Sequence, residues 1–190
     1  MESLLACDLI SEVAIDTDSP VILDDAAKHF PQVTLLERPE HLRAGEIPMN
    51  DVILNSISQL EADFFLQTHS TNPLLTPQSI QKGVETFLKL YPVYDSLFSV
   101  TRNQNRLWDG LARPINHNAN ILLRSQDLPP VFEENSCMYI FSEAIIRQKH
   151  NRIGDRPYLF EISAEEAQDI DWPIDFKVAE YLFKETRGMK

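Results

Sequence analysis

Asp169-Ile170-Asp171-Trp172-Pro173-Ile174-Asp175-Phe176 sets two carboxylates one residue apart, then a Trp-Pro step, then a third acid. Two such chemistries are open. A close pair of carboxylates offers the hard oxygen ligands that a divalent cation prefers. Alternatively, Asp171 caps a helix that opens at Pro173, with Asp175 in its first turn beside the exposed N–H groups. The two readings are compatible for Asp171. Asp169 lies too far upstream to cap, so it is the residue that separates them.

The elements that must position these groups alternate along the chain. SEVAIDTD (11–18) reads as a strand entering a polar turn. SPVILDDAAKHF (19–30) follows as a helix with a Ser cap and an early proline. VTLLERP (33–39) is a short strand, NDVILNSISQLE (50–61) an amphipathic helix and DFFLQTH (63–69) an apolar strand. Thr76 and Pro77 predict the start of a helix over 77–91, and DSLFSVT (95–101) is the next strand. Residues 102–134, rich in Arg, Asn and Pro, suit hairpins or long loops. CMYIFS (137–142) is a strand followed by a helix near 142–150. RPYLFEIS (156–163) is the last strand, and PIDFKVAEYLFKE (173–185) a closing amphipathic helix. MESLLACDLI reads as a helix leading straight into the first strand.

This order predicts an α/β fold: a largely parallel sheet covered by helices, with a hairpin or loop insert around 102–134 and a single domain over 1–190. Ligands of such sheets sit outside the carboxyl ends of strands. The polar runs IDTD (15–18), QTHSTN (67–72) and SVTRNQ (99–104) all follow strands.

Composition narrows the function. The 190 residues are 43% hydrophobic and 24% charged, enough for a sizeable core. The formal charge of −12 argues against nucleic-acid or anionic-membrane partners. The charge is uneven: Arg102 to Arg156 holds eight basic and six acidic residues, a local balance of +2. Such a stretch suits a small anion or a solvated arginine-rich surface. No apolar run is long enough to span a membrane, and MESLLACDLI has no basic start of the kind that begins a secretory signal. Cys7 and Cys137 form no metal or redox motif, and a cytoplasmic location with idle thiols is expected. Five glycines, none closely spaced, make GxGxxG and P-loop chemistry unlikely, and the five histidines lack metal-ligand spacing.

Six segments, taken in order, resemble the cytidylyltransferases that activate acidic sugars: EVAIDTDSPVI (12–22), LLERPEHL (35–42), FLQTHSTNPLL (65–75), DSLFSVT (95–101), RSQDLPPVFEENSCMYIF (124–141) and EEAQDIDWPIDFKVAEYL (165–182). That family comprises the CMP-sialic acid (acylneuraminate) synthetases and bacterial relatives for other nonulosonic acids, with CMP-KDO synthetase more distant. The resemblance implies a nucleotidyltransferase, Rossmann-like fold. It implies transfer of CMP from CTP to an acidic sugar with release of pyrophosphate, Mg²⁺ as the cofactor, and a homodimer.

Residue by residue, the resemblance makes Asp169 and Asp171 the metal-associated, catalytic pair. Arg38 matches an arginine near the cytosine, and Ile47 and Met49 fall where the backbone reads the base edge. His69, Thr71 and Asn72 align with a nucleotide-contacting turn, His69 standing where the family has glutamine. Arg124, Gln126, Asn135 and Tyr139 align with the region used for the sugar acid and for dimer contacts. An arginine fork suits a carboxylate. The family has Asn-Gly where this chain has Asn135-Ser136, which removes a permissive backbone position.

The resemblance departs at the front. The family's loop of the type A-R-G-G-S-K-G-x-x-x-K-N, which grips the triphosphate, has no counterpart here, and no lysine precedes Lys28. The expectation is therefore a domain shortened at its N-terminus, enzymatic if the loop is supplied. One preorganised donor is worth about a hundredfold or more in rate, so loss of the whole loop costs several powers of ten. The alternative is a non-catalytic homologue that acts as a binding or regulatory partner.

Overall fold

Ser19 and Thr76 open the helices that their positions predict. The Ser19 side chain accepts from the Ile22 N–H, with Pro20 as the first helical residue of α2 (Pro20–His29). Thr76 accepts from the Ser79 N–H at the start of α4 (Pro77–Leu90). Each cap satisfies one of the donors that a helix leaves unpaired at its start.

The computed structural model describes residues 1–186. In chain order the other elements are α1 (Glu2–Leu5), β1 (Ala14–Thr17), β2 (Thr34–Glu37), α3 (Met49–Ile57), β3 (Phe65–Thr68), β4 (Ser96–Asn103), β5 (Val131–Phe141), α5 (Glu143–Lys149), β6 (Pro157–Glu161) and α6 (Pro173–Thr186). The fold is α/β, as the alternation predicts. Apart from strand direction, two details differ from the sequence reading. The opening helix is a single turn, and β5 begins six residues before the predicted strand. The early half of β5, Phe132 to Glu134, is exposed and carries two glutamates, so no apolar alternation marks it.

The sheets are mixed. β1 and β2 pair in parallel, from Ala14 opposite Thr34 to Thr17 opposite Glu37. The other sheet has the order β3-β5-β4-β6. In it β3 runs antiparallel to β5, with Phe65 opposite Phe141 and Thr68 opposite Met138.

The chain groups into two compact units. The first holds Met1–Thr68, Leu75–Phe98 and Met138–Tyr158; the second holds His69–Leu74, Ser99–Cys137 and the segment from Leu159. In the first unit, Ile53, Ile57, Tyr139, Phe141 and Ile146 form a buried cluster against which Leu54, Phe65, Phe98 and Ile153 pack. Each such side chain contributes about 1.5–3 kcal/mol by leaving water. In the second unit, the predicted 102–134 insert is loop-rich, with one isolated bridge between Trp108 and Pro114. Asn116, buried, holds it together: its Oδ1 accepts from Leu107 N, and its Nδ2 donates to the Asn105 and Pro129 carbonyls. The insert leaves Trp108, Leu111, Ile115, Ile121 and Leu122 exposed.

Candidate nucleotide and metal site

The second unit holds the acidic pair. The backbone N–H of Ile170, between the two aspartates, donates to the Thr71 carbonyl at 3.0 Å. This one bond pins the 69–74 turn to the Asp169–Asp171 segment. Asp169 is half-buried, and its Oδ1 accepts from the Ile170 N–H at 2.9 Å. Asp171 is exposed. The capping role that the sequence left open for Asp171 falls to Asp175: its Oδ2 accepts from the N–H groups of Trp172 at 2.8 Å and Asp171 at 3.2 Å. Neither Asp169 nor Asp171 supplies the side chain that caps α6.

Asn72 lies in the pinned turn and is only 5% exposed. Neither its Oδ1 nor its Nδ2 has a hydrogen-bond partner. A buried amide in that state costs about 1–3 kcal/mol, and native structures keep few such groups. Asn72 thus presents one acceptor and two donors within the turn that carries Thr71 and His69.

Asn135 is the opposite case. Its Oδ1 accepts from the Ser99 hydroxyl at 2.6 Å and from Cys137 N, and its Nδ2 donates to the Thr101 hydroxyl at 2.9 Å. The next residue, Ser136, has φ of 58°. The left-handed position that the Asn-Gly comparison anticipates is present here, occupied by a residue with a Cβ. Cys137 follows, fully buried. Burial, then the negative charges of Asp169 and Glu166, push its thiol up to about 12. The Cys137 thiol also donates to the Glu166 carbonyl at 3.8 Å.

Arg124 forms a fork on its own neighbour, with Nε and Nη2 donating to the Asp127 carboxylate at 2.7 and 3.1 Å. Gln126 is exposed in the same one-turn 3-10 helix, Ser125–Asp127. A cavity of about 520 Å³ lies in this unit between Pro73, Leu74, Ile170 and the Phe176, Ala179 and Phe183 face of α6. Its lining is apolar apart from Glu180 and Lys184, and neither carboxylate of the pair lines it.

The first unit holds Arg38, Ile47, Met49 and Tyr139. Arg38 Nε donates to Asp16 Oδ1 at 2.7 Å, with both side chains largely shielded. Ser56 Oγ donates to Asp16 Oδ2 at 2.7 Å. Ile47 N–H closes a turn on Ala44 O, and Met49 starts α3 with its side chain exposed. Tyr139 is wholly buried, its ring stacked near Phe98 and covered by the Arg152 guanidinium.

Asp16, Ser56 and Arg152 escaped the sequence reading. Asp16 stood in view in the IDTD run, but its partners lie 22 and 40 residues away. Arg152 carried no motif.

Among the described residues, no group of three or more His, Cys, Asp or Glu could hold a metal ion alone.

A family model described as "Cytidylyltransferase" matches residues 1–189. The chain belongs to the cytidylyltransferase family. Members transfer CMP from CTP to sugar-type acceptors. This family member is 27% identical over 188 residues to the Post-translational flagellin modification protein B of Campylobacter coli, covering 93% of this chain and 79% of that one. It is 33% identical over 127 residues to N-acylneuraminate cytidylyltransferase A of Danio rerio, covering 63% of this chain and 29% of that longer protein. In fold it matches a CMP:2-keto-3-deoxy-manno-octonic acid synthetase solved with CTP, at TM-score 0.68 and 12% identity, over 97% of this chain and 86% of that one. A 4-diphosphocytidyl-2C-methyl-D-erythritol synthase from Anaerococcus prevotii matches at TM-score 0.67 and 10% identity, over 96% of this chain and 83% of that one. Both confirm the nucleotidyltransferase-like α/β fold. Among the described residues no helix is long and apolar enough to cross a membrane.

Proposed function

We propose that this chain binds CTP with Mg²⁺ and transfers CMP to an acidic sugar of the sialic or related nonulosonic class, releasing pyrophosphate. The observation that carries the reading is the pinned turn: Asn72, buried with an unpartnered amide, is tied through Thr71 to the backbone between Asp169 and Asp171. A polar group kept buried at a cost, beside two carboxylates that do not cap the adjacent helix, fits a site completed by a polar ligand and a cation.

Asp169 and Asp171 would hold Mg²⁺. When bound, the ion supplies neutralisation of the triphosphate's charge, the main requirement of phosphoryl chemistry. Asn72, Thr71 and His69 orient the nucleotide. Arg38, with its charge balanced by Asp16 inside the first unit, is the base-side candidate. On the acceptor side, Asn135, locked by Ser99 and Thr101, and Arg124, locked by Asp127, act as positioning residues, with Gln126 exposed beside them. The acidic-sugar class is supported by the similarity to N-acylneuraminate cytidylyltransferase A of Danio rerio. The exposed apolar side chains of the insert support a homodimer, and the two free, buried thiols are compatible with a reducing cytoplasm.

A second reading, a homologue that binds without turnover, is favoured by one observation: the candidate arginines are already engaged within the chain, Arg38 with Asp16 and Arg124 with Asp127. Pyrophosphate release from CTP decides between them, tested with N-acetylneuraminate, KDO and the neutral sugar N-acetylmannosamine. Release with an acidic sugar alone is expected. Equal release with the neutral sugar contradicts the acceptor class. CTP binding without release from any acceptor favours the binding-only reading.

A further inference from the structure

In a chain with 29 acids, an unpaired half-buried arginine is conspicuous. Nine arginines are described, and seven of them hold a carboxylate. Arg106 donates to the Leu123 carbonyl. Arg152 pairs with no carboxylate among the described residues. Its Nη1 donates to Gln67 Oε1 at 2.6 Å, and its guanidinium carbon lies 3.6 Å from the centre of the Tyr139 ring. Its Nε and Nη2 hydrogens find no acceptor among the described residues. Stacking on an aromatic face fixes the guanidinium plane, and the amide fixes its rotation about that plane.

The segment carrying Arg152 is rigidly held. Gly154 N donates to Ser96 Oγ at 2.8 Å, and the Asp155 and Arg156 N–H groups donate to the Asp95 carboxylate. Ile153 packs against the buried cluster that contains Tyr139. Gln67 lies next to the last residue of β3, at the carboxyl end of a strand, where α/β sheets receive ligands. All of these groups belong to the first unit. Arg124, the sequence candidate for a carboxylate fork, already has its fork filled by Asp127.

We infer that Arg152, fixed by Tyr139 and Gln67, is an oxyanion-receiving residue: its open Nε–Nη2 edge takes two oxygens of a carboxylate or phosphate. The inference deepens the proposed function and rests on it for the origin of the anion, which is either the acid group of the sugar or the phosphates of the nucleotide. A neutral amide and an aromatic face leave the positive charge unquenched for such a ligand, where a carboxylate neighbour would cancel it.

The test is calorimetric titration of inorganic pyrophosphate and, separately, N-acetylneuraminate into the full chain, into Arg152→Gln and Arg152→Lys, and into Arg124→Gln. Thermal melts check that each variant is folded. Binding of at least one probe to the unaltered chain is expected, falling about tenfold or more in Arg152→Gln, since charge-assisted forks are the strong hydrogen bonds. Arg152→Lys, which keeps the charge and loses the fork, falls in between and carries the test if the Gln variant does not fold. Loss confined to pyrophosphate identifies a phosphate subsite; loss confined to N-acetylneuraminate identifies a carboxylate subsite. Unchanged affinity in both Arg152 variants, a larger loss in Arg124→Gln, or binding of neither probe overturns the inference. Mg²⁺-dependent CTP binding, measured apart from these titrations, shows whether the proposed function stands or falls with it.

Discussion

Two polar clusters of this molecule are built on opposite terms. In the first unit, Asp16 has both carboxylate oxygens filled, one by Arg38 and one by Ser56. In the second unit, Asn72 is buried with neither amide atom filled, and Asp171 stands exposed beside a helix capped by another residue. Both clusters sit in segments that resemble motifs of the same enzyme family. A satisfied network holds a backbone in place and has no capacity left for a ligand on the groups it uses. An unsatisfied one costs stability in the ligand-free chain and is explained by what it receives. The difference separates residues that position the fold from residues that await a partner.

The comparison breaks if the two clusters respond alike to substitution. Asp16→Ala strands a shielded guanidinium and is expected to destabilise the chain by about 2–3 kcal/mol, below the roughly 3–5 kcal/mol of breaking a fully buried pair because both side chains keep some exposure. Urea denaturation measures it, and a loss under 1 kcal/mol would make the Asp16 network ornamental. Gly154→Ala drives a Cβ into the Asp95 carboxylate that anchors the Arg152 segment, with an expected loss of about 1–3 kcal/mol. Wild-type stability in that variant would show that the segment yields easily.

Asn72→Leu sharpens the contrast because its sign is reversed. Replacing an unpartnered buried amide by an apolar side chain of similar size leaves stability unchanged or raises it by about 1 kcal/mol, while CTP affinity falls. A large loss of stability would mean that the amide has a structural role. Ser136→Gly relieves a Cβ held at positive φ and is expected to add about 1 kcal/mol, read as a higher urea midpoint.

A further contrast is in pH dependence. The folded Cys137 thiol is raised to about 12, so above about pH 9 the unfolded chain ionises this thiol and the folded chain does not. The unfolded state then binds fewer protons, and stability falls with rising pH, by at most about 1.4 kcal/mol per unit from this group. Cys137→Ala should flatten that slope between pH 9 and 11; parallel slopes would place the thiol in an ordinary environment.

What the sequence made legible followed from local rules. Ser19 and Thr76 marked their helices because a cap and its N–H groups lie within three residues. The order of strands and helices gave the α/β class, and six motifs in register gave the family. The long-range pairings were not legible. Nothing local reveals the bond between Arg38 and Asp16, 22 positions away. Arg152 meets Gln67 across 85 positions. The outer half of β5 was hidden by its glutamates, and the mixed pairing by the absence of any sequence mark for strand direction. The sequence left Asp171 open between a helix cap and the metal reading, and the side chain at the helix start proved to be Asp175.

The most direct test is calorimetric titration of CTP, with and without Mg²⁺, into the full chain and its Asp169→Asn and Asp175→Asn variants. The account predicts Mg²⁺-dependent binding that is lost in Asp169→Asn and retained in Asp175→Asn, whose cost is confined to the start of α6. Equal losses in the two variants, or no CTP binding by the folded chain, would contradict it.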